Sequence, residues 1–263
     1  VVAFKLNEAR NFNDEVAIVA RDSLWGLIDR NGTYLIKPSF RQLEQFSTEL
    51  FIFHADQGYG IIDHNGDIVI PPAYTEINPT ESKDFIPVCH GDKCGYIDIR
   101  NTRSLAFIYR SVEPFKDGRA IVSDKTGYFL IDTSGQRIGR NSYRHIQYLR
   151  SSRWAAIEDN SFILLNRTGE SVNDQKYKVI YPFSDGLAAF QKNRLWGYID
   201  RSGRAKIKDE FGLAWTFEEG LARVAFQNGL GLIDTEGKVV LAPYYPEIRY
   251  PSEGFIPFKR YQQ

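Results

Sequence analysis

Methionine is absent from this chain of 263 residues, cysteine occurs twice, and net charge is nil, because 33 acidic side chains balance 33 basic ones. No run approaches the roughly 20 apolar residues of a bilayer span, so no membrane-crossing helix is expected. Without an overall cationic excess the simplest electrostatic case for nucleic-acid binding fails. The histidines, His54, His64, His90 and His145, are scattered without ligand spacing such as HxxxH, and no metal or cofactor is expected. GxxxxGK[ST] and GxSxG are both missing, which removes the phosphate-cradling loop and the nucleophile elbow. A start at Val1-Val2 with no initiator points to a lost first segment, through the choice of boundaries or through natural cleavage such as signal-peptide removal.

Cys89 and Cys94 flank His-Gly-Asp-Lys, a four-residue turn between two strand-like runs. They are either unrelated thiols or a cross-hairpin disulfide, and we expect the disulfide, formed in an oxidising compartment. A loop so short gains little from chain entropy. The expected location is therefore periplasmic or secreted, with the cytoplasm as the alternative.

What the chain does have is a period. GLIDRNG at 26–32 recurs as GIIDHNG (60–66), GYIDIRN (95–101), FLIDTSG (129–135), ILLNRTG (163–169), GYIDRSG (197–203) and GLIDTEG (231–237). The anchors Asp29, Asp63, Asp98, Asp132, Asn166, Asp200 and Asp234 are spaced by 34 or 35 residues. A second marker keeps step with them: FNDEVAIV from Phe12, FSTELFIF from Phe46, FKDGRAIV from Phe115, FSDGLAAF from Phe183 and FEEGLARV from Phe217. Such a period marks a repeat architecture, in which no single unit can bury its own faces.

Each unit reads as three short strands, of the AIVA, WGLID and TYLIK types, the first alternating apolar and polar and the third ended by a proline such as Pro38, Pro71 or Pro243. The Asp-x-x-Gly segment explains itself as a turn. The aspartate accepts a backbone N–H two residues on, and the glycine takes the left-handed conformation. Asn101, where glycine is lost, is the next most tolerant residue there. The row of aspartates is thus read as turn initiators rather than metal ligands.

The runs Leu24-Trp25-Gly26-Leu27-Ile28-Asp29 and Leu195-Trp196-Gly197-Tyr198-Ile199-Asp200, each preceded by a Phe-x-x-Gly/Glu-(Leu/Val)-Ala-type strand, resemble the bacterial WG-repeat (KWG) family. The resemblance covers nearly the whole chain and weakens in the centre, where Cys94 takes the Trp position and Tyr128-Phe129 and Phe162-Ile163 replace Trp-Gly. It implies an all-β repeat scaffold and carries no catalytic residue.

The expected architecture is one domain over residues 1–263, with a partial unit in 1–23 and seven repeats from about 24 to 259. Two arrangements would stack such units: a propeller-like ring closed by the termini, or an open β-solenoid. Val2 to Phe4 falls on a third-strand position and 254–259 on a first-strand position, so pairing the two ends would remove exposed sheet edges, which favours the ring.

The charge is uneven. Residues 1–99 carry 8 basic and 15 acidic side chains, whereas residues 100–153 carry 11 and 4. The basic peak holds Arg137, Arg140, Arg144, Arg150 and Arg153, interleaved with Tyr143, His145, Tyr148 and Trp154, a composition typical of interface hot spots. Trp25 and Trp196 hold the repeat position and are expected in the core, while Trp154 and Trp215 fall outside it and are expected to be exposed. The leading expectation is a non-catalytic scaffold that recognises a protein partner, acidic in character, through Arg137, Arg140, Tyr143, Arg144, His145, Tyr148, Arg150, Arg153 and Trp154. An inhibitor or immunity-type role fits this. The alternatives are a glycan- or envelope-binding module using exposed aromatics, and a hydrolase with a site in a central channel.

Overall fold

A computed structural model describes residues 6–80, 82, 84–101, 104–248 and 258–259. Every regular element among them is a β-strand. The strands form seven small antiparallel sheets in chain order, six of four strands and one of three, followed by a two-stranded pair. This is the expected all-β, propeller-like repeat. The first sheet consists of Glu8–Ala9, Val16–Arg21, Leu24–Asp29 and Tyr34–Phe40, and the sixth of Val179–Ile180, Ala188–Lys192, Leu195–Ile199 and Ala205–Phe211. In each, neighbours in sequence are neighbours in the sheet. The chain divides into two compact units, residues 1–125 with 131–136, and residues 126–130 with 137–263. Residues 1–4 and most of 254–259, on which the expectation of ring closure rests, lie outside the described residues.

Three expectations need correction. The repeat has four strands, not three, because a strand of two to four residues, such as Gln42–Gln45 or Leu213–Ala214, precedes each AIVA-type strand. So short a strand shows no periodicity. The AIVA strand does not alternate either: Ala17, Ile18, Val19 and Ala20 are all buried, because both faces of the sheet are covered. One apolar cluster joins Ile18 and Leu27 of the first sheet to Leu43, Phe51, Phe53 and Ile62 of the second. Another joins Leu149, Ala155 and Leu164 of the fifth to Ile180, Phe183, Phe190 and Ile199 of the sixth. The core is thus a series of layers between successive sheets, as stacked repeats require. Lastly, Pro38, Pro71 and Pro243 lie inside their strands, 34–40, 68–74 and 239–245. These are the last strands of their sheets, where a missing N–H costs no ladder bond.

The Trp-Gly motif owes its shape to that last strand. Between Trp25↔Phe40 and Leu27↔Ile36 the register shifts by a bulge, and Gly26 lies against it. A Cβ there would fall 2.4 Å from Ile36 O and 2.7 Å from Pro38 N. The Trp position faces an aromatic at the strand's far end, as in Trp196↔Phe211. Phe40, Tyr74, Tyr109, Tyr143, Tyr177, Phe211 and Tyr245 form this third repeat marker, again 34 or 35 residues apart.

The turn reading holds in atomic detail. Asp63 Oδ1 accepts the N–H groups of Asn65 at 2.8 Å and Asp67 at 2.9 Å. Asp132 and Asp200 do the same two and four residues on, and Asn166 does so with its amide oxygen. Asn101 has φ 54°. Burial pushes the Asp63 and Asp200 carboxyls up, but hydrogen bonds outweigh it, and at Asp132 the Ser134 hydroxyl leads; all three lie below the usual carboxylate range. Because the folded-state values are lowered, their stabilisation is complete above pH about 4 and is lost as pH falls through them. Melting temperature should therefore fall between pH 5 and pH 3. In Asp63→Asn, Asp132→Asn, Asp200→Asn the turns persist, as Asn166 shows, and that fall should be shallower; an identical pH profile would refute the assignment.

Candidate functional site

The fifth sheet is the irregular one. It comprises Ile146–Tyr148, Trp154–Glu158 and Ser161–Leu165 and has no fourth strand. In its place residues 166–178 run as a loop whose backbone pairs with the sheet edge through the isolated bridges Leu165↔Ser171 and Phe162↔Tyr177. The cause is legible at Ile163, where other units have the glycine that seats the bulged strand. The fourth sheet solves the same problem differently. Phe129 replaces the glycine, and seven residues after Asp132, where the first sheet has Ile36, stands Gly139 with φ 74°.

The loop is pinned on both sides. Gly169 packs against Gly139, where a Cβ on Gly139 would lie 3.4 Å from Gly169 O. Asn173 Nδ2 donates to Gly203 O at 2.8 Å, and its Oδ1 accepts the Gln175 N–H at 3.0 Å. Tyr177 is buried beneath, and burial raises its hydroxyl pKa. Two clefts flank the loop. One, of about 780 Å³, runs between it and the sixth sheet, lined by Arg153, Lys192, Arg204 and Asp209 among others. The second, of about 870 Å³, lies toward the fourth sheet and is lined by Arg140, Tyr143, Glu158, Glu170, Asp174 and Lys176.

The nine residues expected to bind a partner are not brought together. Antiparallel strand direction separates them. Arg150 and Arg153 lie in the loop at one end of the fifth sheet, and Arg144 and His145 in the connection at the other. Arg137 and Arg140 lie on the last strand of the fourth sheet, Arg137–Tyr143. Arg137 is spent on structure: its guanidinium lies 4.1 Å from the Phe129 ring centroid and donates to Ser142 Oγ at 2.8 Å. Arg144 donates to Asn160 Oδ1 at 2.9 Å, His145 meets the edge of Tyr128, and Arg153 donates through Nε to Arg201 O at 2.8 Å. Arg140 and Tyr143 line the second cleft and Arg153 the first.

Trp154 is a correction. It is 1% exposed and packs on half-buried Tyr148 with ring centroids 5.6 Å apart, so it cannot meet a partner or a sugar. Trp215 is half-buried, with the Arg223 guanidinium 4.6 Å over its ring. Trp196 is buried and Trp25 partly so, as the repeat position demands. Cys89 and Cys94 pair in register across two strands of the third sheet and form the expected disulfide. Among the described residues no group of three or more His, Cys, Asp or Glu side chains could hold a metal ion. No described helix is long and apolar enough to cross a membrane. Loop 166–178, which the sequence reading missed, was signalled at Asn173, seven residues after its anchor, where five other units carry Ile36, Ile70, Leu105, Ile207 or Leu241.

Solved structures similar to this chain are distant in sequence. The crystal structure of the eukaryotic initiation factor is 10% identical with a TM-score of 0.58, over 97% of this chain and 81% of that one, and at that identity shows the fold alone. Kluyveromyces lactis Hsv2p is 12% identical with a TM-score of 0.44, over 98% and 97%. The C-terminal WD40 domain of Sif2 is 10% identical with a TM-score of 0.42, over 85% and 79%. No curated protein matches the chain. The WG containing repeat matches at residues 25–53, 59–94, 164–196, 196–230 and 231–261, more than half of the sequence, and the chain belongs to that family.

Proposed function

We propose that this protein is a non-catalytic, exported binding scaffold that recognises an acidic protein partner through the exposed arginines around its irregular fifth sheet. One observation carries the reading. Among the described residues, Arg137, Arg140, Arg144, Arg150 and Arg153 form no ion pair with a carboxylate, while Arg21, Arg30, Arg41, Arg100, Lys176 and Lys206 each do. Arg140, Arg144 and Arg150 are also exposed, and exposed cations with no carboxylate partner are available to an acidic surface, where they raise the association rate more than the affinity. The disulfide is compatible with an oxidising compartment. An inhibitor or immunity-type role is the form of this reading we favour.

The test is capture from the source organism's envelope and secreted fractions, with the intact chain and with Arg140→Glu, Arg144→Glu. Arg137 is left alone because it supports Phe129. The expected result is an acidic partner held by the intact chain and lost by a variant that melts normally, with an association rate that falls as salt rises. Equal capture by both proteins, or a partner whose association rate ignores salt, overturns the reading.

A further inference from the structure

We propose that the cleft between loop 166–178 and the sixth sheet is a binding site for an acidic oligosaccharide, a sugar chain bearing carboxylate groups. The repeat does not need this cleft: it exists because the fifth sheet lacks the strand that the other six possess. Its volume of about 780 Å³ falls within the range of small-molecule sites, about 300–1,000 Å³.

Charge chooses between the two clefts. The first is lined by Arg153, Lys192 and Arg204 against Asp209, with Asp200 behind Ser202 as the second carboxylate near Arg204, so cations still outnumber carboxylates. The second carries Arg140 and Lys176 against Glu158, Glu170 and Asp174, and its lysine is already held by Asp159 at 2.7 Å and Glu158 at 3.4 Å. In the first cleft Lys192 Nζ donates only to the neutral Gln175 Oε1, at 2.9 Å, so its charge is uncompensated there.

Hydrogen-bond polarity then narrows the ligand. Ser171 Oγ donates to Asn173 O at 2.5 Å, and Ser202 Oγ donates to Asp200 Oδ1 at 2.6 Å. With their protons committed, both hydroxyls can offer the cleft only lone pairs. A bare anion has nothing to give them, whereas a sugar hydroxyl does. The ligand that satisfies both features carries carboxylates for the cations and O–H donors for the serines. The cations also lie at both ends. Arg153 and Arg204 sit beside the turns at one end of the sheets, and Lys192 ends its strand, Ala188–Lys192, at the other. This spacing suits a chain with a charge on successive rings. The site uses no tryptophan and does not depend on the protein-partner reading.

Titration calorimetry with a galacturonic acid trisaccharide tests the proposal, with maltotriose and triglutamate as controls. The trisaccharide acid should bind saturably, at least tenfold more tightly than either control. Arg204→Ala, Lys192→Ala should weaken it at least tenfold while melting normally, because both side chains are exposed. If that pair fails to fold, Gln175→Ala and Lys192→Gln, tested singly, should each weaken binding severalfold. The proposal is overturned by no saturable binding of the acid sugar, by equal binding of maltotriose or triglutamate, or by unchanged affinity in folded variants.

Discussion

Gly197→Ala is expected to destabilise the protein by about 3 kcal/mol, at the upper end of what a single added methyl costs in a packed interior. The Cβ would lie 2.7 Å from each of three backbone atoms, Ile207 O, Lys208 C and Asp209 N. Backbone cannot swing aside as a side chain can. The strands Leu195–Ile199 and Ala205–Phe211 must part, giving up the bulge between Trp196↔Phe211 and Tyr198↔Ile207. The layer between the sixth and seventh sheets would feel it, since Tyr198, Phe211 and Ile207 belong to one apolar cluster with Phe217 and Val224. Gly212→Ala is the control. Its Cβ would meet only Ala225, at 3.6 and 3.9 Å, so reduced freedom of the unfolded chain should leave it neutral or slightly stabilised. Urea denaturation of the two variants should separate their midpoints clearly, and coincident midpoints would mean that the motif's glycine is not there to admit the bulged strand.

The repeat made most of the fold legible. A turn needs an acceptor and a residue tolerant of positive φ, and both recur visibly from Asp29 to Gly237. The short first strand escaped because two residues carry no period. The partners of the Trp-Gly motif escaped because the aromatics from Phe40 to Tyr245 stand eleven residues past each anchor, in a strand whose proline read as an end. Loss of the fifth sheet's last strand was written at Ile163 and Asn173 together, because the fourth unit also lacks the first glycine, at Phe129, yet keeps its strand with Gly139 where the fifth has Asn173; only once the role of Gly26 and Gly197 is known does that pair read as a missing strand.

The site was less legible. Composition marks a basic segment, yet composition has no direction. Strand polarity sends Arg144 and Arg150 to opposite ends of the sheets, and ring stacking engages Arg137. The cleft beside loop 166–178 draws on residues from Arg153 to Asp209, a range that no local motif spans.

Trp154→Ala is the second large effect, expected at about 3–5 kcal/mol, the usual cost of emptying an aromatic's place in a core. Trp154 stands opposite Leu165, the register that Ala17 holds opposite Ile28. The equivalent positions, Phe51, Ile86, Ala120, Ala188 and Ala222, are all buried. What sets Trp154 apart is therefore its size in a core position, not exposure, and Ala156, the next residue on the same face of its strand, is small and fully buried. Removing the indole leaves a void that an alanine beside it cannot close, and half-buried Tyr148 loses its packing partner. Trp154→Phe should cost markedly less. The same burial can be read without unfolding the protein. Emission difference spectra of intact protein against Trp154→Phe should assign Trp154 a blue-shifted component that iodide does not quench. A quenchable, red-shifted component, or a Trp154→Ala variant that melts with the intact chain, would return this residue to the surface and restore it to the partner-binding set.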